Sequence, residues 1–214
     1  MSMRADGDNR MDDKVLRNFT YGLFLITARD GAKMNGCIVN TGIQASSEPL
    51  TVAVSVNKSD YTHDMIVKTG EFNLTFLSEE SDFATFKHFG YQSGRDVDKF
   101  EKFEYKLAAN GIPYITKGAN SYLSAKVVKT VDLGSHTLFV AEITDGEILG
   151  TAPSVSYSYY FEHIKPKPGE NKDEEEKKVG WICVICGYIY PHEELPADFI
   201  CPICKHPASD FRKL

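Results

Sequence analysis

Residues 35–66 read NGCIVNTGIQASSEPLTVAVSVNKSDYTHDMI, and the change of rhythm along them decides the fold. An apolar run ends at Val39 in the polar cluster NTGIQASSEP. LTVAVSV then sets apolar side chains at alternate positions, the period of a half-buried strand. From Asp60 the spacing becomes helical, in a segment that Gly70 closes. This is a strand, a polar link, a second strand and a short helix.

Upstream, GLFLITA, a turn at Asp30-Gly31 and KMNGCIVNT form a hairpin pattern. Downstream, EFNLTFL, SYLSAKVVKTV, HTLFVAEITDGEIL and SVSYSYYF read as further strands. SEESDFATFKHFG reads as a second helix, opened by Ser78 and ended at Gly90. Strands that follow one another without long intervening helices predict a mainly β domain, an antiparallel barrel with peripheral helices. No Gly-x-Gly-x-x-Gly follows a strand, which argues against the usual dinucleotide fold.

The chain divides by composition. Residues 1–10 read as a disordered N-terminus, 11–165 as the barrel, 166–179 as a charged linker with two prolines and a glycine, and 180–214 as a small metal domain. The linker's fourteen residues reach about 46 Å when extended. A net charge of −6 with no basic cluster argues against a nucleic-acid partner. No run approaches the roughly 18 apolar residues of a membrane span, so a cytoplasmic protein is expected.

Polar clusters cap three predicted strand ends. In the second, Asn57, Lys58, Ser59 and Thr62 offer a phosphate hydroxyls, a cation and backbone N–H groups, although Asp60 and Asp64 oppose an anion. The third is the loop YQSGRDVDKF. An ordinary capped helix would explain the second cluster equally well.

NGCIVNTGIQASSEP, LTVAVSVNKSDYTHDMI, FNLTFLSEE, SGRDVDKF and HTLFVAEI, in that order over roughly residues 12–163, resemble the flavin reductase family with its FMN-binding split β-barrel. The resemblance implies that Asn40, Thr41 and Gln44 lie along the isoalloxazine ring. It implies that Asn57, Lys58, Ser59 and Thr62 hold the ribityl phosphate and that Gly94, Arg95 and Lys99 close over it. It also implies a homodimer, and places His136 on the nicotinamide side, although Ser135 stands where the family usually has Asp. Tyr157, Tyr159 and His163 could shape the same pocket, or serve as core. Cys37 reads as a small buried hydrophobe.

Cys183, Cys186, Cys201 and Cys204 have the spacing C-x2-C-x14-C-x2-C. Two such pairs in a reducing compartment form a tetrathiolate site for zinc or iron, and spacing alone leans toward a zinc ribbon. WICVICGYIY with LPADFICPIC, set among Trp181, Tyr188, Tyr190, Phe199 and Phe211, resembles the shortened rubredoxin of rubrerythrins. That resemblance implies one redox-active iron, although Lys205 stands where rubredoxins usually carry Gly.

Together the parts predict an oxidoreductase passing electrons from NAD(P)H through FMN to the iron. The resemblance further implies an anaerobe and a partner such as a flavodiiron NO/O2 reductase. The alternatives are a non-enzymatic flavin/iron carrier, or a flavin reductase with a zinc-ribbon tail.

Overall fold

The computed structural model describes residues 13–166, 180–184, 188–201 and 207–213. The expected disordered N-terminus and linker thus lie almost wholly outside the described residues. Among those described, the larger unit is built on one antiparallel sheet of seven strands in the order β2-β1-β5-β8-β9-β4-β3. They are β1 (Phe24–Asp30), β2 (Lys33–Val39), β3 (Ile43–Ser47), β4 (Leu50–Asn57), β5 (Glu71–Leu77), β8 (Ala119–Asp132) and β9 (His136–Ile148). A short pair, β6 (Lys106–Leu107) and β7 (Pro113–Tyr114), stands apart.

The connectivity explains why the sheet curls. Its edge strands, β2 and β3, are consecutive in the chain and joined only by Asn40, Thr41 and Gly42. Seven strands lying flat would separate those edges by about 29 Å. A three-residue link bridges at most about 14 Å. The sheet must therefore roll toward closure, leaving a seam at residues 40–42.

Alternation fills the inside. Phe24, Ile26, Val52, Val54, Phe72, Leu74, Leu123 and Phe139 form the interior cluster. The opposite faces of β1 and β5 supply Leu25 and Leu77 to a second cluster with Phe86, Phe89, Phe100 and Tyr160. Burial on both faces explains why β1 reads as an unbroken apolar run. Its hairpin to β2 turns through Gly31, whose φ of 60° suits glycine.

Helix α1 (Tyr61–Thr69) follows Asp60 and ends as expected at Gly70, whose φ is 72° and whose N–H donates to the Ile66 carbonyl over 2.8 Å. Helix α2 (Phe83–Gly90) starts later than expected. Asp82, not Ser78, is its cap and accepts the Thr85 N–H at 2.9 Å. Ser78 instead makes a strand-like bridge to Ser154.

Two further expectations are corrected. The polar link after β2 contains the edge strand β3, whose residues are mostly exposed and therefore carry no buried alternation. SVSYSYYF is not a strand. Pairing starts there, with Gly22 bridging Ser156, but the Ser156 hydroxyl accepts the Tyr159 N–H at 3.1 Å and turns the chain. The turn α3 (Tyr157–Tyr159) continues as a π-turn, Tyr160–Ile164. None of the described helices is long and apolar enough to cross a membrane.

The smaller unit has a three-stranded sheet of β10 (Trp181–Cys183), β11 (Ile189–Tyr190) and β12 (Phe211–Lys213), with β10 central.

Candidate functional site

At the seam of the barrel lies an open cavity of about 450 Å³, within the usual range of small-molecule sites. Of the residues singled out from sequence, Cys37, Asn40, Thr41, Asn57, Lys99, His136 and Tyr157 line it. The Thr41 hydroxyl donates to the Ser55 carbonyl at 2.7 Å and accepts the Ser55 N–H at 3.1 Å, pinning the link to β4. The Asn57 carboxamide oxygen accepts the Ser59 N–H at 2.9 Å, shaping the turn into α1. Asn57 also faces His136 across the β4–β9 ladder, so two chain segments converge on the cavity. The Ser135 hydroxyl lies 2.9 Å from His136 Nδ1 and fixes the ring from behind.

The remaining expected residues stand around this cavity rather than on its wall. The Lys58 amine donates to Asp132 over 2.7 Å, and its backbone N–H donates to the Ser135 carbonyl. Lys58, with the Gly134 N–H, holds the Asp132 carboxyl below its ordinary range. Thr62 is fully buried and accepts the Asn35 amide at 3.0 Å, so its hydroxyl faces inward. Arg95 donates to Asp64 over 2.7 Å beside the Tyr61 ring and keeps that carboxyl ionised to lower pH. Gln44 sits on the exposed edge strand. Gly94 is buried against the Asn35 carboxamide, where a Cβ would overlap it. The carboxamide oxygen of Asn35 is buried and has no hydrogen-bond partner among the described residues.

Lys99 is 3% exposed, and its ammonium donates to the carbonyls of Gly36 and Phe89, each at 2.8 Å. It therefore clamps the end of α2 to β2. Burial lowers its pKa, opposed by the negative charge of Asp60. Cys37 is buried as expected, yet it also lines the cavity. Burial pushes its thiol pKa well up and Asp60 adds to the shift, so the thiol stays protonated.

Tyr157, one of the three pocket candidates on this segment, reaches the wall from the turn α3, and the π-turn after it supplies Tyr160, Phe161 and Lys165, which sequence reasoning missed. Tyr157, Tyr160, Phe161 and Lys165 line the cavity, whereas Tyr159 and His163, with rings 4.5 Å apart, do not. Read as a strand, the segment puts alternate residues on one face. In the wide turn Tyr160 and Phe161 come round with Lys165, whose N–H donates to the Tyr160 carbonyl over 2.7 Å. The usable signal was Ser156, a capping residue followed by aromatics.

The donor set suits a flavin. Amide and hydroxyl groups at Asn40, Thr41, Ser55 and Asn57 can meet the edges of a ring system, aromatic side chains can cover its faces, and Lys165 adds a cation at the wall.

In the smaller unit, Cys183 and Cys201 are 1% and 0% exposed. Phe211, Trp181, Tyr188, Tyr190 and Phe199 pack around them. The Cys183 N–H donates to the Tyr188 carbonyl and the Val184 N–H to the Asp210 carbonyl, each over 2.8 Å, shaping the backbone at the first thiol. Two buried thiols inside an aromatic shell fit a soft metal ion screened from water. Cys186, Cys204 and Lys205 lie outside the described residues.

Comparison with known proteins gives both units a family. The family described as "Flavin reductase like domain" matches residues 16–167, and that described as "Rubrerythrin, rubredoxin-like domain" matches residues 181–212. High molecular weight rubredoxin of Moorella thermoacetica is 35% identical over 95% of this chain and 100% of its own length. Ferric-chelate reductase (NAD(P)H) of Archaeoglobus fulgidus is 35% identical over 73% of this chain and 92% of its own. Among solved structures, the NADH:FAD oxidoreductase SgcE6 of Streptomyces globisporus superposes with a TM-score of 0.64 at 22% identity, covering 72% of this chain and 91% of that one.

Proposed function

The chain belongs to the flavin reductase-like family and carries a rubredoxin-like domain after it, and from that premise we propose an oxidoreductase that passes electrons from NAD(P)H through FMN to iron. In this reading Cys183, Cys186, Cys201 and Cys204 hold the iron, which reduces a partner such as a flavodiiron protein. The observation that carries the reading is the seam cavity, where Asn40, Thr41, Asn57 and His136 converge from separate segments of a barrel that shares its chain with a buried-thiol domain. A bound flavin accepts two electrons together from a nicotinamide and yields them singly, which matches such a donor to a tetrathiolate iron.

The chain's own residues divide the work. Asn40 and Thr41 bind the ring from the seam, held by the hydrogen bonds of Thr41 to Ser55. Asn57 marks the phosphate side, braced by the Ser59 N–H on its side chain and the Asp60 N–H on its carbonyl. Thr62 and Gly94 act through Asn35 as backing for that wall. His136, with Nδ1 engaged by Ser135, keeps Nε2 for the nicotinamide side. The aromatic side chains of the π-turn, Tyr160 and Phe161, form an apolar wall on one side of the cavity. Exposed apolar residues Ile43, Leu50, Val128, Val131 and Leu133 on β3, β4 and the β8–β9 hairpin support a homodimer.

Anoxic stopped-flow mixing of the holoprotein with NADH tests the reading. Flavin bleaching followed by loss of the ferric band is expected. Flavin bleaching that the iron never follows would sink it. Chromatography of the acid-released flavin distinguishes FMN from FAD, and sedimentation gives the oligomeric state.

A further inference from the structure

Four aromatic rings run in a row from the cavity to the surface. Phe161 and Tyr157 line the cavity and meet edge-on at 4.9 Å. Tyr157 meets Tyr21 edge-on at 6.1 Å, and Tyr21 stacks on Phe19 at 5.6 Å. Phe19 is 61% exposed and Phe161 38% exposed. The Lys165 amine stands 4.8 Å from the Phe161 ring. Phe19 and Tyr21 do not line the cavity, and the outermost ring leaves most of its apolar surface in water. Tyr21 and Tyr157 are half-buried between the two exposed rings, and an aromatic row exposed at both ends in this way marks an interaction surface.

The covalent chain points to the occupant. Lys165 belongs to the patch, and residues 166–179 lead from it to Gly180. A link of fourteen residues reaches about 46 Å and holds the small domain at an effective concentration on the order of millimolar. That domain carries a matching face. Val184 and Ile200 are each 52% exposed, although they adjoin the buried Cys183 and Cys201. Two apolar side chains thus stand in water beside two buried metal ligands, and the exposed Asp198 lies close by in sequence to meet Lys165.

We propose that the row Phe19–Tyr21–Tyr157–Phe161 is the docking surface for the chain's own rubredoxin-like domain, which presents Val184 and Ile200 to it. The proposal rests on the flavin-to-iron reading of the chain. At each docking one electron would pass from the hydride-reduced flavin to Fe(III), giving Fe(II), and over two dockings one proton, the one that arrived with the hydride, would go to water. The external acceptor, a one-electron oxidant, reoxidises the iron between visits. Two visits return the flavin to its oxidised state.

The holoprotein with p-benzoylphenylalanine in place of Phe19 gives the first test, by irradiation and peptide mapping. Cross-links to the peptides bearing Val184 or Ile200 are expected. Cross-links confined to residues 13–166 of a second copy, or none to the small domain, would overturn the proposal. The second test is Phe19→Asp in stopped flow. Flavin bleaching by NADH should be unchanged, while reduction of the iron slows about tenfold and Phe19→Asp with Ile200→Lys restores most of the loss. An unchanged iron rate in Phe19→Asp refutes docking alone. An iron that stays ferric in the unmodified protein defeats the parent reading instead.

Discussion

Gly94→Ala is expected to destabilise the barrel through one side chain, Asn35. A Cβ built on Gly94 overlaps the Asn35 carboxamide, standing 2.6 Å from its Nδ2. Asn35 is 2% exposed and donates to Thr62, so it has no room to retreat. Overpacking of this kind costs about 1–3 kcal/mol, and breaking the Asn35–Thr62 bond adds about 1 kcal/mol. The sum, about 2–4 kcal/mol, corresponds to a fall in melting temperature of roughly 5–15 °C for a domain of this size. Urea unfolding followed by far-ultraviolet circular dichroism measures it, since the single tryptophan, Trp181, sits in the other domain. The same change in an Asn35→Ala background should cost at least about 1.5 kcal/mol less, because the clash has been removed. An unfolding free energy within about 0.5 kcal/mol of wild type, or an equal loss in both backgrounds, refutes the argument.

Burial works against the charge of Asp82, but the Thr85 N–H and hydroxyl and the Lys117 ammonium outweigh it and hold the carboxyl below its ordinary value. Its folded-state pKa is therefore the lower one, so its stabilisation is complete above about pH 4 and disappears as the pH falls through the folded value. Asp82→Ala should cost about 1 kcal/mol at neutral pH, and the difference from wild type should shrink as the pH falls below about 4; a difference that stays constant on acidification contradicts this assignment. Cys201→Ser should abolish the iron absorption band while flavin bleaching by NADH continues at the wild-type rate, and zinc in the wild-type protein by metal analysis would count against the iron. His136→Asn should lower kcat/KM for NADH about tenfold with the flavin still bound, which steady-state assays and the flavin absorbance check together.

The features legible in the sequence come from side-chain periodicity and spacing. Val52 and Val54 announce their strand because they bury one side of an alternating row, and Phe24 and Ile26 theirs because it is buried on both faces and reads as one apolar run. The four cysteines announce a metal by spacing alone. The edge strand Ile43–Ser47 stayed hidden because an exposed strand has no reason to alternate. The π-turn stayed hidden because Ser-aromatic alternation fits a strand as well as a turn, and only the Ser156 hydroxyl's bond to the Tyr159 N–H decides between them. Lys99 has the same chemistry whether its amine meets a phosphate or two carbonyls; its place between Gly36 and Phe89 depends on how α2 packs against β2, a contact between segments far apart in sequence.

The seam also orders events in time. Asn40 and Thr41 come to face Asn57 and His136 only when β4 has paired with β9, in a ladder that joins Thr51 to Glu142 and Asn57 to His136. Such long-range pairings form late, since the entropy of closing the intervening chain must be overcome first. A half-assembled barrel therefore offers a flavin no complete cavity. In the proposed reading a flavin that needs all four residues binds only the finished barrel, so any molecule carrying it is one in which the last strands have met.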